Sequence, residues 1–175
     1  MTTADDFGRR EFELASLPAA WALNAFGLKR AAEVIWAACG EDGASGIGED
    51  AALGAVYMLL TGYALENVIK ALLLIKRPEL CKPGRIPRWP GGGHNLPKLF
   101  DEGAVGLSSD ERRLLDRLRA FVVWRGRYPM PTKPETIMTE KALSWVTSPV
   151  PVGVSRDDHN LALGLFERVM SMLPY

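Results

Sequence analysis

The sequence has few residues of the two types that most often bind metals or cross-link a small fold. It contains two cysteines, Cys39 and Cys81, and two histidines, His94 and His159, in 175 residues. Neither cysteine belongs to a C-x-x-C pair, which excludes a zinc ribbon and a disulfide framework. We therefore expect no metal, no cofactor and a reducing, cytoplasmic location.

Three further patterns are missing from the chain. No segment alternates polar and apolar residues with the period of a strand, so we expect an all-α fold. Gly91-Gly92-Gly93 follows no strand and precedes no Lys-Ser/Thr pair, which excludes a Walker-type phosphate loop. The first residues, MTTADDFGRR, contain no apolar stretch and predict no secretory signal.

Helical periodicity predicts an up-and-down bundle of four to five main helices, as a single domain covering residues 1–175. Residues 1–15 read as a polar lead-in, and residues 77–95 and 127–154 as irregular loops rich in proline and glycine. The predicted helices run from about Leu17 to Cys39, Ala51 to Lys76, Asn95 to Gly103, Ser108 to Trp124, Glu135 to Trp145 and Ser155 to Leu173.

The stretch from Ala51 to Lys76 is the helix around which we expect the others to pack. Its apolar residues point in every direction of a helical wheel, which is typical of a buried helix. It is long enough to cross a bilayer, but Glu66 and Lys70 argue against a membrane span because charge is costly at membrane depth. These two residues are four positions apart, and we predict an ion pair between them.

The net charge of zero hides an uneven distribution along the chain. From Lys76 to Lys133 there are 13 Lys or Arg and 6 Asp or Glu, and the rest of the chain has 8 and 15. A basic region beside a long loop favours phosphate or nucleic acid, although a solvated helix face is an equal alternative. The predicted nucleic-acid-binding residues are Arg125, Arg112, Arg119 and Lys98.

His94 is the candidate acid/base residue, because it follows the glycine loop and imidazole titrates near neutral pH. Arg127 lies between Gly126 and the Tyr128-Pro129 pair, in a frame that suits a phosphate-binding guanidinium. The alternatives are a His94 that packs against a helix end and an Arg127 that pairs with Glu66. We expect His159, in the first turn of the last helix, to be a surface residue.

Several short motifs together resemble the HEPN-like helical domains. They are Gly-Tyr-Ala-Leu-Glu-Asn at 62–67, Lys-Ala-Leu-Leu at 70–73, Gly-His-Asn-Leu at 93–96, Leu-Ser at 107–108 and Arg-Tyr-Pro at 127–129. The resemblance implies a helical bundle, often dimeric. Many members are metal-independent endoribonucleases of toxin–antitoxin, defence or RNA-processing systems, and others bind nucleic acid or a partner protein.

The family's arginine–histidine signature matches Arg88 and His94, which have five residues between them. The resemblance thus implies an RNA-associated protein and, if catalytic, a metal-independent endoribonuclease. His94 acts there with Arg127 or Arg88. The residues expected to support this site are Glu66, Lys70 and Tyr128.

The partners that the resemblance implies are RNA, an antitoxin-like protein and a second copy of the chain, with no membrane. The main alternative is a non-catalytic module that dimerises or binds a protein, with the Gly/Pro loops as the docking surface and with Trp89 and Trp124 expected to be exposed. A third interpretation is a small-molecule pocket at the open end of the bundle, lined by Tyr63, Tyr128 and the tryptophans.

Overall fold

The computed structural model describes residues 10, 13, 16–39, 49–81, 87–125 and 154–174, and within these ranges the protein is an all-α bundle without strands. This confirms the predicted fold class. The predicted helix from Glu135 to Trp145 lies outside the described residues. The helices are α1 (Pro18–Cys39), α2 (Glu49–Lys76), α3 (Leu96–Glu102), α4 (Ser109–Ala120) and α5 (Arg156–Met170).

Side-chain caps explain where three of these helices begin. Ser108 accepts a hydrogen bond from the backbone N–H of Glu111, whose carboxylate accepts one from the N–H of Ser108 in return. Ser155 and Asp158 form the same reciprocal box at the start of α5. Asn95 caps α3 through its side-chain oxygen. Each cap satisfies backbone donors that have no partner inside the helix.

The described parts of the 77–95 region, residues 77–81 and 87–95, contain two short helical turns. A 3₁₀ turn at Pro78–Leu80 follows α2, and a second at Pro90–Gly93 leads to His94 and α3. A π-helical turn at Phe121–Arg125 continues α4. The two 3₁₀ turns keep chain that is rich in proline and glycine compact where a full α-helix cannot form.

Helix α2 is the centre of the bundle, since it packs against every other helix. The span Ala52–Lys76 is long and apolar enough to cross a membrane, with a mean hydropathy of 1.6. However, 78% of its apolar stretch is buried inside the protein. Core residues such as Val68, Ile69 and Leu73 have no exposed surface. Packing on all sides therefore accounts for a helix that is apolar all round.

Helices α1 and α2 run antiparallel. Trp21 near the start of α1 lies against Lys70 near the end of α2, and Trp36 near the end of α1 lies against Tyr57 near the start of α2. Asn24 donates a hydrogen bond to Asn67 between these points, at 3.1 Å. The long contact of α1 with α2 thus brings two groups of aromatic and polar side chains together, one at each end.

Helices α4 and α5 also run antiparallel, and two ion pairs join them. Arg117 contacts Asp158 at 2.7 Å, and Arg168 contacts Glu111 at 2.9 Å. The end of α4 and the π-helical turn after it pack against α2 at Gly62, where an added Cβ would lie 3.4 Å from the backbone oxygen of Leu118 and 2.5 Å from a methyl group of Val122. A glycine at this position lets the two helices pack at short distance.

Candidate functional site

Glu66 and Lys70 form an ion pair inside the bundle, one turn apart on α2. Glu66 is 3% exposed and Lys70 is 4% exposed, and Lys70 Nζ lies 2.6 Å from Glu66 Oε1. A buried carboxylate and a buried ammonium are each costly alone, so each supplies the charge that the other needs. Lys70 binds Oε1 of Glu66, and the second oxygen, Oε2, needs another donor.

Two tryptophans flank the ammonium group of Lys70. Its Nζ lies 5.3 Å from the ring centroid of Trp21 and 5.2 Å from that of Trp89. The two rings meet edge to face, with centroids 5.2 Å apart. Both indole faces attract the cation and replace part of its lost hydration. Trp89 is partly buried in this contact, so the expectation that Trp89 is exposed is wrong.

The glycine loop crosses directly over this cluster. Gly91, Gly92 and Gly93 all have positive φ, at 63°, 76° and 88°, which side chains other than glycine rarely adopt. Gly93 is buried, and a Cβ there would lie 3.2 Å from Trp89 and 3.6 Å from Lys70 Nζ. The glycines therefore let the backbone turn tightly against the cluster, and the next residue in the chain is His94.

His94 completes the cluster by binding the second oxygen of Glu66. Its Nδ1 lies 2.9 Å from Glu66 Oε2, while half of its side chain is exposed to solvent. Because a carboxylate paired with an ammonium only accepts hydrogen bonds, Nδ1 carries a proton, and in the neutral ring the lone pair is therefore on Nε2. Within the part of the chain that the structure describes, Nε2 has no partner. We call Lys70, Glu66 and His94 the α2–loop triad.

Two of the other predicted site residues, Arg88 and Lys98, lie near the glycine loop. Arg88 is exposed and immediately precedes Trp89. Lys98 is exposed on α3, and its side chain passes 3.2 Å from the place where a Cβ on Gly91 would be. Arg88 and Lys98 thus belong to the segments on either side of the glycine loop.

Arg112 and Arg119 are the predicted binding residues on α4. Arg112 holds Asp101 through both carboxylate oxygens, at 2.6 and 3.2 Å. This contact lowers the pKa of Asp101 and raises that of Arg112, so each charge is offset by the other. Arg119 is exposed on α4, and Arg125 ends the π-helical turn. Arg127 and Tyr128 lie outside the described residues.

A second cluster, around His159, was not expected from the sequence. The ring of His159 stacks on Trp36, with centroids 4.3 Å apart and planes 5° from parallel, and its Nδ1 lies 2.8 Å from Tyr57 Oη. A small cavity of about 20 Å³ lies beside these groups, between α1, α2 and α5, and Thr61 is among its lining residues. The prediction that His159 is an ordinary surface residue is therefore wrong.

Burial sets the protonation of this second cluster. It raises the pKa of Tyr57 to about 12 and lowers that of His159, so both groups are neutral at pH 7. One proton is shared between Tyr57 Oη and Nδ1 of His159. The signal for this burial was present in the sequence, since His159 is in helical register with Ala162 and Phe166.

Comparisons with family models, with curated proteins and with solved structures find no match for this chain. Among the residues that the structure describes, no three His, Cys, Asp or Glu side chains come together in the way that metal ligands do. The interpretation of the site therefore depends on its own geometry.

Proposed function

We propose that the chain is a nucleic-acid-associated protein of the HEPN-like kind, and that His94 cleaves RNA without a metal ion. The observation that supports this proposal is the hydrogen bond of 2.9 Å between Glu66 Oε2 and Nδ1 of a half-exposed His94. A buried carboxylate that holds one ring nitrogen orients the imidazole and leaves the other nitrogen basic. This is the arrangement that proton abstraction from a hydroxyl group requires.

In the proposed reaction, Nε2 of His94 takes the proton of a ribose 2′-hydroxyl. The 2′-oxygen then attacks the adjacent phosphorus while the P–O5′ bond breaks, and the leaving 5′-oxygen takes a proton from solvent water. The products are a 2′,3′-cyclic phosphate and a 5′-hydroxyl end. Glu66 stabilises the imidazolium that forms, without taking a proton itself. The charges of Lys98 and Arg88, on either side of the loop, attract the phosphate and steady its developing charge.

The test is cleavage of a synthetic RNA by the purified chain in the presence of a chelator. We expect cyclic phosphate ends from RNA and no cleavage of DNA of the same sequence, since DNA lacks the 2′-hydroxyl. His94→Ala should lower the rate by about 10²–10⁴-fold, the usual contribution of one acid/base group. His159→Gln is the matched control and should leave the rate unchanged. Equal rates for the wild type and His94→Ala would refute the proposal.

Variants of Lys98 and Arg112 give a separate test of RNA binding. Lys98→Ala should weaken RNA binding and reduce the salt dependence of the affinity, because one phosphate contact and its released counterion are lost. Arg112→Ala should have the smaller effect, since Asp101 already offsets its charge. The non-catalytic alternative predicts no turnover and no salt-dependent affinity for RNA in either variant.

A further inference from the structure

The two histidines of this chain both use Nδ1 for a contact inside the protein. His94 donates from Nδ1 to Glu66, so in the neutral ring Nε2 carries the lone pair. The Nδ1 of His159 lies 2.8 Å from Tyr57 Oη. A nitrogen with a lone pair is a nucleophile, whereas an N–H group is not. In its neutral form, His94 therefore offers a nucleophilic Nε2.

The two rings also differ in how open they are to an approaching electrophile. Half of the His94 side chain is exposed, and the adjacent Gly92 has open space where a Cβ would be. An electrophile can therefore approach the ring from the loop side. One face of His159 is covered by the parallel ring of Trp36 at a centroid distance of 4.3 Å.

Electrostatics also favour reaction at His94 with a phosphoryl group. When Nε2 forms a bond to phosphorus, the ring becomes cationic, and the Glu66 carboxylate at Nδ1 stabilises that charge. Lys98 and Arg88 bring positive charge to the flanks of the same loop, where it can attract phosphate oxygens. In the described part of the chain, the triad thus provides one nucleophile, Nε2 of His94, and one counter-ion, the carboxylate of Glu66.

We propose that Nε2 of His94 is a phosphoryl acceptor, with donors of the phosphoramidate class, whose P–N bond is also the bond of a phosphohistidine on another protein. The lone pair of Nε2 forms the new N–P bond while the P–N bond of the donor breaks. The amine leaves with the proton that it already carries in the zwitterionic donor. The proton on Nδ1 stays in its hydrogen bond to Glu66, so the product is an Nε2-phosphohistidine.

The experiment treats the full-length chain with potassium phosphoramidate at neutral pH and follows one phosphoryl addition by intact-protein mass spectrometry. The label should be stable in alkali and lost in acid, and fragmentation should place it on His94. We expect His94 to react about tenfold or more faster than His159, because an oriented carboxylate activates the nucleophile. In urea the two histidines should react at similar rates, since both are then free side chains.

Two variants separate the triad from simple exposure. His94→Ala should abolish the acid-labile label, and Glu66→Gln should slow labelling of His94 towards the rate measured in urea. If Glu66→Gln does not fold, the native-to-urea ratio of the wild type decides alone. Equal labelling of the two histidines in the native protein, or no label on His94, would overturn the proposal. RNA cleavage does not enter this measurement, so failure of either proposal leaves the other standing.

Discussion

Replacing Lys70 by methionine tests whether the ion pair at the centre of the bundle is as buried as the structure describes. The change removes the ammonium that lies 2.6 Å from Glu66 Oε1 and leaves the carboxylate 3% exposed. Breaking a buried pair by removing one partner costs about 3–5 kcal/mol. Methionine keeps most of the contact with Trp21 and Trp89, so the lost cation–π attraction is partly offset by sulfur–aromatic contact.

Lys29→Met is a matched control for this change. Lys29 and Glu33 are also a lysine–glutamate pair four residues apart on a helix, with Nζ 2.5 Å from Oε1. Their side chains are 18% and 27% exposed, against 5% for each member of the central pair. Because solvent screens the more exposed pair, Lys29→Met should cost about 1 kcal/mol or less.

The free energies of unfolding are measured by urea denaturation, followed by far-UV circular dichroism. The double variant Glu66→Met with Lys70→Met should be more stable than Lys70→Met alone, because it removes the buried unpaired charge. The reasoning is refuted if Lys70→Met costs no more than Lys29→Met. It is refuted equally if the cost of the double variant equals the sum of the costs of Glu66→Met and Lys70→Met.

Two other predictions concern the packing of α2 and the pH dependence of stability. Gly62→Ala should destabilise the fold by about 1–3 kcal/mol because its Cβ would lie 2.5 Å from Val122. Adding Val122→Ala to this variant should rescue part of the loss. Gly27→Ala is the control: there is open space at its Cβ, and the change should stabilise α1 by about 0.5–1 kcal/mol. Because burial lowers the pKa of His159 in the folded state, the unfolded chain binds more protons at acid pH, and stability should fall as pH falls from about 6.5 through the folded pKa. His159→Gln should flatten that part of the urea-derived stability profile, and an unchanged profile would contradict the assignment.

The helices were predictable because their signals are local. Ser108 with Glu111, and Ser155 with Asp158, are caps whose partners lie three residues apart, and both occur as the pattern indicates. The spacing of Glu66 and Lys70 predicted their ion pair for the same reason. Each of these contacts is decided within one helical turn, so periodicity and spacing are sufficient to find it.

The other contacts of the candidate site are not local. The sequence analysis named Glu66 and Lys70 as supporting residues, but it did not show which side chains they meet. His94 reaches Glu66 across 28 residues, and Tyr57 reaches His159 across 102. Trp21 comes to Lys70 from a different helix because α1 and α2 run antiparallel. A helical wheel shows which face of a helix is apolar, but the register between two helices depends on packing of the whole bundle. The partner that each histidine meets follows from that register.

The buried carboxylate connects the fold of the glycine loop to the chemistry of His94. With Lys70 on Oε1 only, Glu66 would have a second buried oxygen without a donor, which is costly in a low-dielectric interior. His94 supplies that donor, and it reaches the oxygen because the preceding glycines turn with positive φ against Lys70 and Trp89. The contact that satisfies the core therefore also fixes the ring and frees Nε2. For this reason, a change at Lys70 should alter both the stability of the bundle and the reactivity of a histidine that it does not touch.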